Sequence, residues 1–193
     1  MLNNALYLAS GSPRRHELLT LLDCPFEVLR PEVDESPLPG ETPLALVERL
    51  ARLKAEAGAA LAAEPRPVLG ADTVGELDGQ LLVKPLDQMD AARMMRAMSG
   101  RSHLIHTAIA FSDGRRTLSK VVTSTVSFKV LSDQEIADYW HSGEPADKAG
   151  GYGIQGRGGR FVSHLAGSYF AVVGLPLMET EQLLQAFLGK ETE

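Results

Sequence analysis

The chain has 193 residues, 44% of them hydrophobic and 23% charged, the balance of an ordinary soluble globular protein. No apolar run approaches the ~18–20 residues of a membrane span, and the formal net charge of −6 argues against a general nucleic-acid binder, so any anion site has to be local. The single cysteine, Cys24, cannot close an internal disulfide and reads as a buried, inert thiol, which suits a reducing cytoplasm.

The opening stretch "MLNNALYLAS" lacks the basic region and long apolar core of a signal peptide, and Ala5–Ala9 reads as a buried strand. A helix follows over Pro13–Leu22, with Ser12 at the N-cap and proline at the first helical position. "FEVLRPEVDESPLPGETP" is a strand followed by a proline-rich loop. Thr42 caps a second helix that opens on Pro43 and runs to about Leu61, with Leu46, Leu50, Leu53, Ala57 and Leu61 at helical spacing. "PVLGADTV" is a short apolar strand ending in the acid Asp72. Asp78-Gly79 signals a hairpin. Asp87 caps a third helix, with Asp90 three residues on, and Gly100 ends it. Strands are expected over His103–Phe111 and Thr117–Val130, and "SDQE" at Ser132–Glu135 is a capping box. After the glycine-dense loop "GEPADKAGGYGIQGRGGR", two strands are expected around Phe161–Leu165 and Tyr169–Val173, then a helix over Leu177–Leu188. No repeat or long linker divides the chain. These elements predict one domain over residues 1–193, α/β and leaning to α+β, with a bent mixed sheet flanked by helices.

Several charges sit where a bare fold would not place them. Arg14 and Arg15 are cations at the positive end of a helix dipole, each costing roughly 0.3–1 kcal/mol unless an anion compensates. Lys54 falls at about 80° on a helical wheel that starts at Leu46, inside the apolar stripe. It either snorkels to water or points into a polar cleft. Without a ligand both kinds of cation look surplus, so removing Arg14 or Lys54 is expected to be neutral or mildly stabilising. Asp72, at the end of its strand, is either a turn residue or a ligand-side carboxylate. Asp34 and Glu35 are either a solvated loop or, with Asp72, oxygen ligands for a divalent cation. Lys84 is either a surface charge or part of the same site. "GYGIQG" matches the dinucleotide fingerprint by letter, but neither a strand precedes it nor a helix follows, so that reading is rejected. The loop either is flexible surface or lets backbone approach a ligand, with Gln155 offering an amide to something planar. His103 and His106 read as structural. There is no phosphate-binding P-loop, zinc spacing or serine-hydrolase elbow. Cations around a helix N-terminus suit a polyphosphate, and acids beside them suit a magnesium-type ion and water activation.

The ordered set "LASGSPRR", "DE" at 34–35, "ARLKA", "GADT", "KP" at 84–85, "SG" at 99–100 and "DKAGGYGIQG" resembles the Maf family of nucleoside triphosphate pyrophosphatases along essentially the whole chain. The resemblance implies hydrolysis of a nucleoside triphosphate to the monophosphate and pyrophosphate, in a cleft between two lobes, with a divalent metal (magnesium or manganese). It implies a cytoplasmic protein, often a homodimer; the charge balance and the lack of a long apolar run imply no nucleic-acid or membrane partner. Carried over by position, Asp72 is the proton acceptor, aided by Lys54 and Lys84. Ser10, Arg14, Arg15 and Lys148 bind substrate, and Glu35 and Asp72 bind metal. Arg14, Thr73 and Gln155 resemble the specificity residues of the subgroup that cleaves dTTP and UTP. A related subgroup acts on 7-methylguanosine triphosphate and carries Trp, Gln and Glu there. A nucleotide-binding regulator of cell division is the alternative from another class.

Overall fold

The computed structural model describes residues 5–189. Its strands are β1 (Leu6–Ala9), β2 (Phe26–Leu29), β3 (Val68–Leu77), β4 (Gln80–Leu82), β5 (Ser102–Ser112), β6 (Thr117–Phe128) and β7 (Val162–Ala166). Its helices are α1 (Pro13–Thr20), α2 (Pro43–Leu61), α3 (Gln88–Met98), α4 (Asp133–His141), α5 (Tyr169–Val173) and α6 (Leu177–Phe187). The expected α/β architecture is present: one seven-stranded sheet in the order β2-β1-β3-β5-β6-β7, with β4 also on β3. The first strands pair in parallel and the rest antiparallel, so the sheet is mixed.

Strand β3 is the spine. One edge pairs with β5 from Val68 to Glu76. The other edge pairs with β1 at Val68 and Leu69, and with β4 from Gly75 onward. Between those two partners, Gly70–Val74 meets no strand on that edge among the described residues. Several apolar cores pack against the sheet. One gathers Leu6, Leu8, Leu19, Ile109, Phe111 and Leu184 between β1, α1 and α6. Another gathers Met94, Met98, Phe128, Ile136 and Phe161 around α3 and α4. The cleft is lined by Asp72, Thr73 and Val74 of the unpaired stretch.

Helix α2 closes one face of β3. Its buried face is Leu46, Val47, Leu50, Ala51, Ala55 and Gly58, whereas Leu61 is exposed and Leu53 and Ala57 are only partly covered. The expected leucine stripe is therefore rotated toward the small residues. The reason is close approach: a Cβ at Gly70 would stand 2.3 Å from the Ala51 carbonyl oxygen and 2.5 Å from the Ala55 nitrogen. Only glycine on the strand and alanine on the helix permit that spacing.

Three expectations need correction. Tyr169–Val173 is a helix, not a strand, because the Ser168 side chain accepts the Ala171 N–H at 3.1 Å and caps the turn. A five-residue apolar run carries no period that separates the two states. Asp72 lies in the middle of β3 rather than at its end, since the strand continues through Gly75 into the hairpin at Asp78-Gly79. Finally, a 3-10 turn over Arg157–Phe161 delays β7 to Val162. The capping box at Ser132 is formed in full. Residues 1–4 and 190–193 of the expected domain lie outside the described residues.

Candidate active site

The turn from β1 into α1 places the first group of side chains. Ser10 is buried, and its hydroxyl accepts from the Ser12 N–H at 3.2 Å and from Arg15 Nη1 at 3.4 Å. Ser12 occupies the N-cap position but makes no side-chain cap, and it lines the cleft instead. Arg15 is gripped on three sides. Besides Ser10, its Nε donates to the Gly174 carbonyl at 2.9 Å, and its Nη2 donates to Thr73 Oγ1 at 3.3 Å. Burial pushes the Arg15 guanidinium below its ordinary pKa; Asp72 opposes that shift and Arg14 adds to it. Arginine stays charged regardless, so the shift records solvation that the site has withheld. Arg14 also lines the cleft and makes no hydrogen bond or ion pair among the described residues.

On the other face of β3, Lys54 resolves in favour of the cleft. Its Nζ donates to Asp72 Oδ1 at 2.7 Å and lies 3.0 Å from Glu35 Oε1. The Lys54 and Asp72 side chains are 12% and 11% exposed, against 58% for Glu35. A covered charge pair between two elements is flanked by a solvent-facing carboxylate on the loop after β2. Side chains alternate along a strand, so Asp72 faces α2 while its neighbour Thr73 faces Arg15 and α5.

These residues share one cleft of about 660 Å³ with Arg14, Lys84, Lys148 and Gln155. Five cations and two carboxylates line it, on a chain whose net charge is −6. Lys84 and Gln155 are exposed on its rim, and neither makes a hydrogen bond among the described residues. Lys148 Nζ donates to the Glu144 carbonyl at 2.9 Å. Ser10 lies beneath the cleft and reaches it through Arg15.

Gly153, Ile154 and Gln155 of the glycine loop line the cleft, and the loop has an internal purpose as well. It folds around the Glu144 carboxylate, which accepts from Tyr139 Oη at 2.7 Å and from the N–H groups of Arg157 at 2.8 Å and Gly158 at 3.1 Å. Burial raises the Glu144 pKa, but those hydrogen bonds outweigh it and hold it below the ordinary value. A Cβ at Gly158 would stand 2.6 Å from Tyr139 Oη. The glycines let the loop wrap its own acid, and this wrapping holds Gln155 at the rim. His103 and His106 are structural, as expected. His103 is buried against Tyr152 and Phe128, and His106 lies between Glu76 and Thr123. Cys24 is buried, which pushes its thiol pKa up and suits an inert role.

A divalent cation fits Asp72 and Glu35, because both carboxylates converge on a single ammonium. Among the described residues no group of three or more histidine, cysteine or acidic side chains is gathered. An ion there would need water and substrate oxygens to complete its shell, which is magnesium's habit at phosphate sites.

A family model described as Maf-like protein matches residues 5–187. The chain belongs to the Maf family. Its relatives include a dTTP/UTP pyrophosphatase of Pseudoalteromonas translucida (strain TAC 125), 59% identical over 187 residues, 97% of this chain and 99% of the relative. A dTTP/UTP pyrophosphatase of Yersinia pestis bv. Antiqua is 56% identical over 186 residues, 96% of this chain and 94% of the relative. Among solved structures, a HAM1 protein from Coxiella burnetii aligns with 66% of this chain and 73% of its own, at 19% identity and a TM-score of 0.46. Within this Maf fold, the motif reading missed the apolar wall of the cleft. Ile105, Tyr152, Ile154, Val172 and Val173 line it. They come from three segments, β5, the glycine loop and α5, and as apolar residues they give no sequence signal that separates them from core.

Proposed function

We propose that this chain hydrolyses dTTP and UTP to the nucleoside monophosphate and pyrophosphate. The observation that carries the reading is the Lys54 ammonium held between Asp72 and Glu35 in a cleft lined by five cations. A site that only bound a polyanion would gain nothing from those two acids. The relatives named dTTP/UTP pyrophosphatase support the substrate class.

In this reading, Arg14, Arg15, Lys84 and Lys148 hold the phosphates. Ser10 and Thr73 fix the Arg15 guanidinium before substrate arrives, so no reorganisation is needed on binding. Lys54 orients Asp72. Water attacks the α-phosphorus, its proton passes to Asp72, the α–β bridging bond breaks and pyrophosphate leaves. A divalent cation held by Glu35 and Asp72 would neutralise charge on the phosphate oxygens. The base lies against the apolar wall of Ile105, Val172 and Val173, with Gln155 at the rim. The Gln155 amide can donate to a ring carbonyl of the base, whereas a carboxylate there would suit a cationic methylated guanine.

The test is pyrophosphate release from dTTP, UTP, CTP, GTP and 7-methyl-GTP with magnesium or manganese. Rapid release from dTTP and UTP is expected. Binding without turnover on the whole panel would favour the regulator, and 7-methyl-GTP as the best substrate would move the chain to the other subgroup. Gln155→Glu is expected to erode the preference for dTTP and UTP, read as the ratio of kcat/KM values.

A further inference from the structure

Thr107 lies behind the cleft wall on β5, fully buried and absent from the cleft lining. Its hydroxyl lies 2.6 Å from the Ala171 carbonyl oxygen of α5 and 2.9 Å from Thr73 Oγ1. A carbonyl oxygen cannot donate, so the one Thr107 hydroxyl proton goes to Ala171. Thr107 Oγ1 can then only accept from Thr73. The Thr73 proton is thereby spent on Thr107, and Thr73 Oγ1 accepts in turn from Arg15 Nη2 at 3.3 Å. The chain of donors runs one way, from Arg15 through Thr73 and Thr107 to Ala171. Thr73, half-buried in the cleft wall, shows its ligand a lone pair and no proton.

We infer that Thr107 is a positioning residue that locks Thr73 as an acceptor, so that the substrate group meeting Thr73 is an N–H donor of the base. The inference rests on the nucleotide reading above. Thr73 lies on the face of β3 that looks toward α5, where Val172 and Val173 offer apolar cover to a ring. The reacting carboxylate Asp72 faces the other way. A uracil or thymine ring carries an imide N–H at position 3; cytosine carries a bare acceptor there. A fixed acceptor favours the first two and leaves two lone pairs opposed with the third. Gln155 makes no hydrogen bond among the described residues, so its amide can turn its donor end to a ring carbonyl and leave the imide to Thr73.

The experiment compares kcat/KM for dTTP, UTP and CTP in the wild type, Thr107→Val and Thr107→Ser. Valine keeps the shape and removes the acceptor, freeing the Thr73 proton to turn into the cleft. The expected result is a fall of roughly tenfold in the dTTP-to-CTP ratio for valine, with serine close to wild type. Should the valine variant fail to fold, Thr107→Ala supplies the same ratio. Thr73→Val, which also removes the acceptor, is expected to lower the ratio too. An unchanged ratio in these variants of an active enzyme overturns the inference alone. An equal loss on all three nucleotides also overturns it, since Thr107 would then act on the shared sugar or phosphates. A wild type that releases no pyrophosphate from any nucleotide overturns the functional reading beneath it.

Discussion

Lys54 and Arg14 are both cations without an obvious reason in the sequence, yet their surroundings differ. Lys54 is clasped by Asp72 and Glu35, whereas Arg14 makes no hydrogen bond or ion pair among the described residues. The expectation that removing either is harmless is therefore kept for Arg14 and revised for Lys54. Lys54→Ala strands the covered Asp72 carboxylate and is expected to cost roughly 3 kcal/mol in urea unfolding. Lys54→Met combined with Asp72→Asn removes both charges and is expected to recover most of that loss. Arg14→Ala is expected to leave stability unchanged and to raise KM. Asp72→Asn alone keeps Lys54 paired with Glu35, so fold and nucleotide binding are expected to survive while pyrophosphate release falls ~10²-fold or more. A variant that keeps more than about a tenth of the rate contradicts the role of proton acceptor. His103 supplies a pH dependence of stability. Burial lowers its pKa from 6.5 to about 4. Below pH ~6.5 the unfolded chain takes a proton that the folded chain refuses. This contribution is complete above pH ~6.5 and is lost as pH falls toward about 4. An imidazole titration by NMR with a midpoint near 6.5 would contradict it.

At the scale of elements, Gly70 decides how near α2 comes to β3 and hence whether Lys54 reaches Asp72. Gly70→Ala puts a methyl against the Ala51 carbonyl and the Ala55 nitrogen, both backbone atoms that cannot step aside. A loss of roughly 1–3 kcal/mol is expected, together with a fall in activity as Lys54 shifts. Wild-type stability with unchanged kcat would show that the spacing is not limiting. The same helix shows what a sequence can and cannot disclose. Its boundaries were legible from Thr42, Pro43 and the periodicity, and Lys54 was legible as an anomaly. The rotation of its buried face was not, because it depends on a glycine on another element. Asp72 was legible as an important carboxylate and misplaced along its strand, because β3 runs on into the hairpin without a break in composition. Tyr169–Val173 was misread because five apolar residues fit either state, and the decision lies in the Ser168 cap. The cations of the cleft were legible one by one through motif order. The Arg15–Thr73–Thr107 chain was not, since it joins residues from α1, β3 and β5.

For the whole molecule, the interruption along one edge of β3 organises everything else. The cations gather along it in one cleft, and the strand's alternation sends Asp72 to one side and Thr73 to the other. In the proposed reading the proton acceptor and the base contact thus fall on opposite faces of one strand, with Arg15 on the Thr73 side. The measurement that reaches this division most directly is kcat/KM for pyrophosphate release on dTTP, UTP, CTP and GTP with magnesium, in the wild type, Asp72→Asn and Thr73→Val. Asp72→Asn is expected to lower all rates together and leave the preference for dTTP and UTP intact, while Thr73→Val, which also loosens Arg15, is expected to lower the preference itself, read as the ratio of kcat/KM values. A wild type with no preference for dTTP and UTP, or an Asp72→Asn variant with near wild-type turnover, would contradict it.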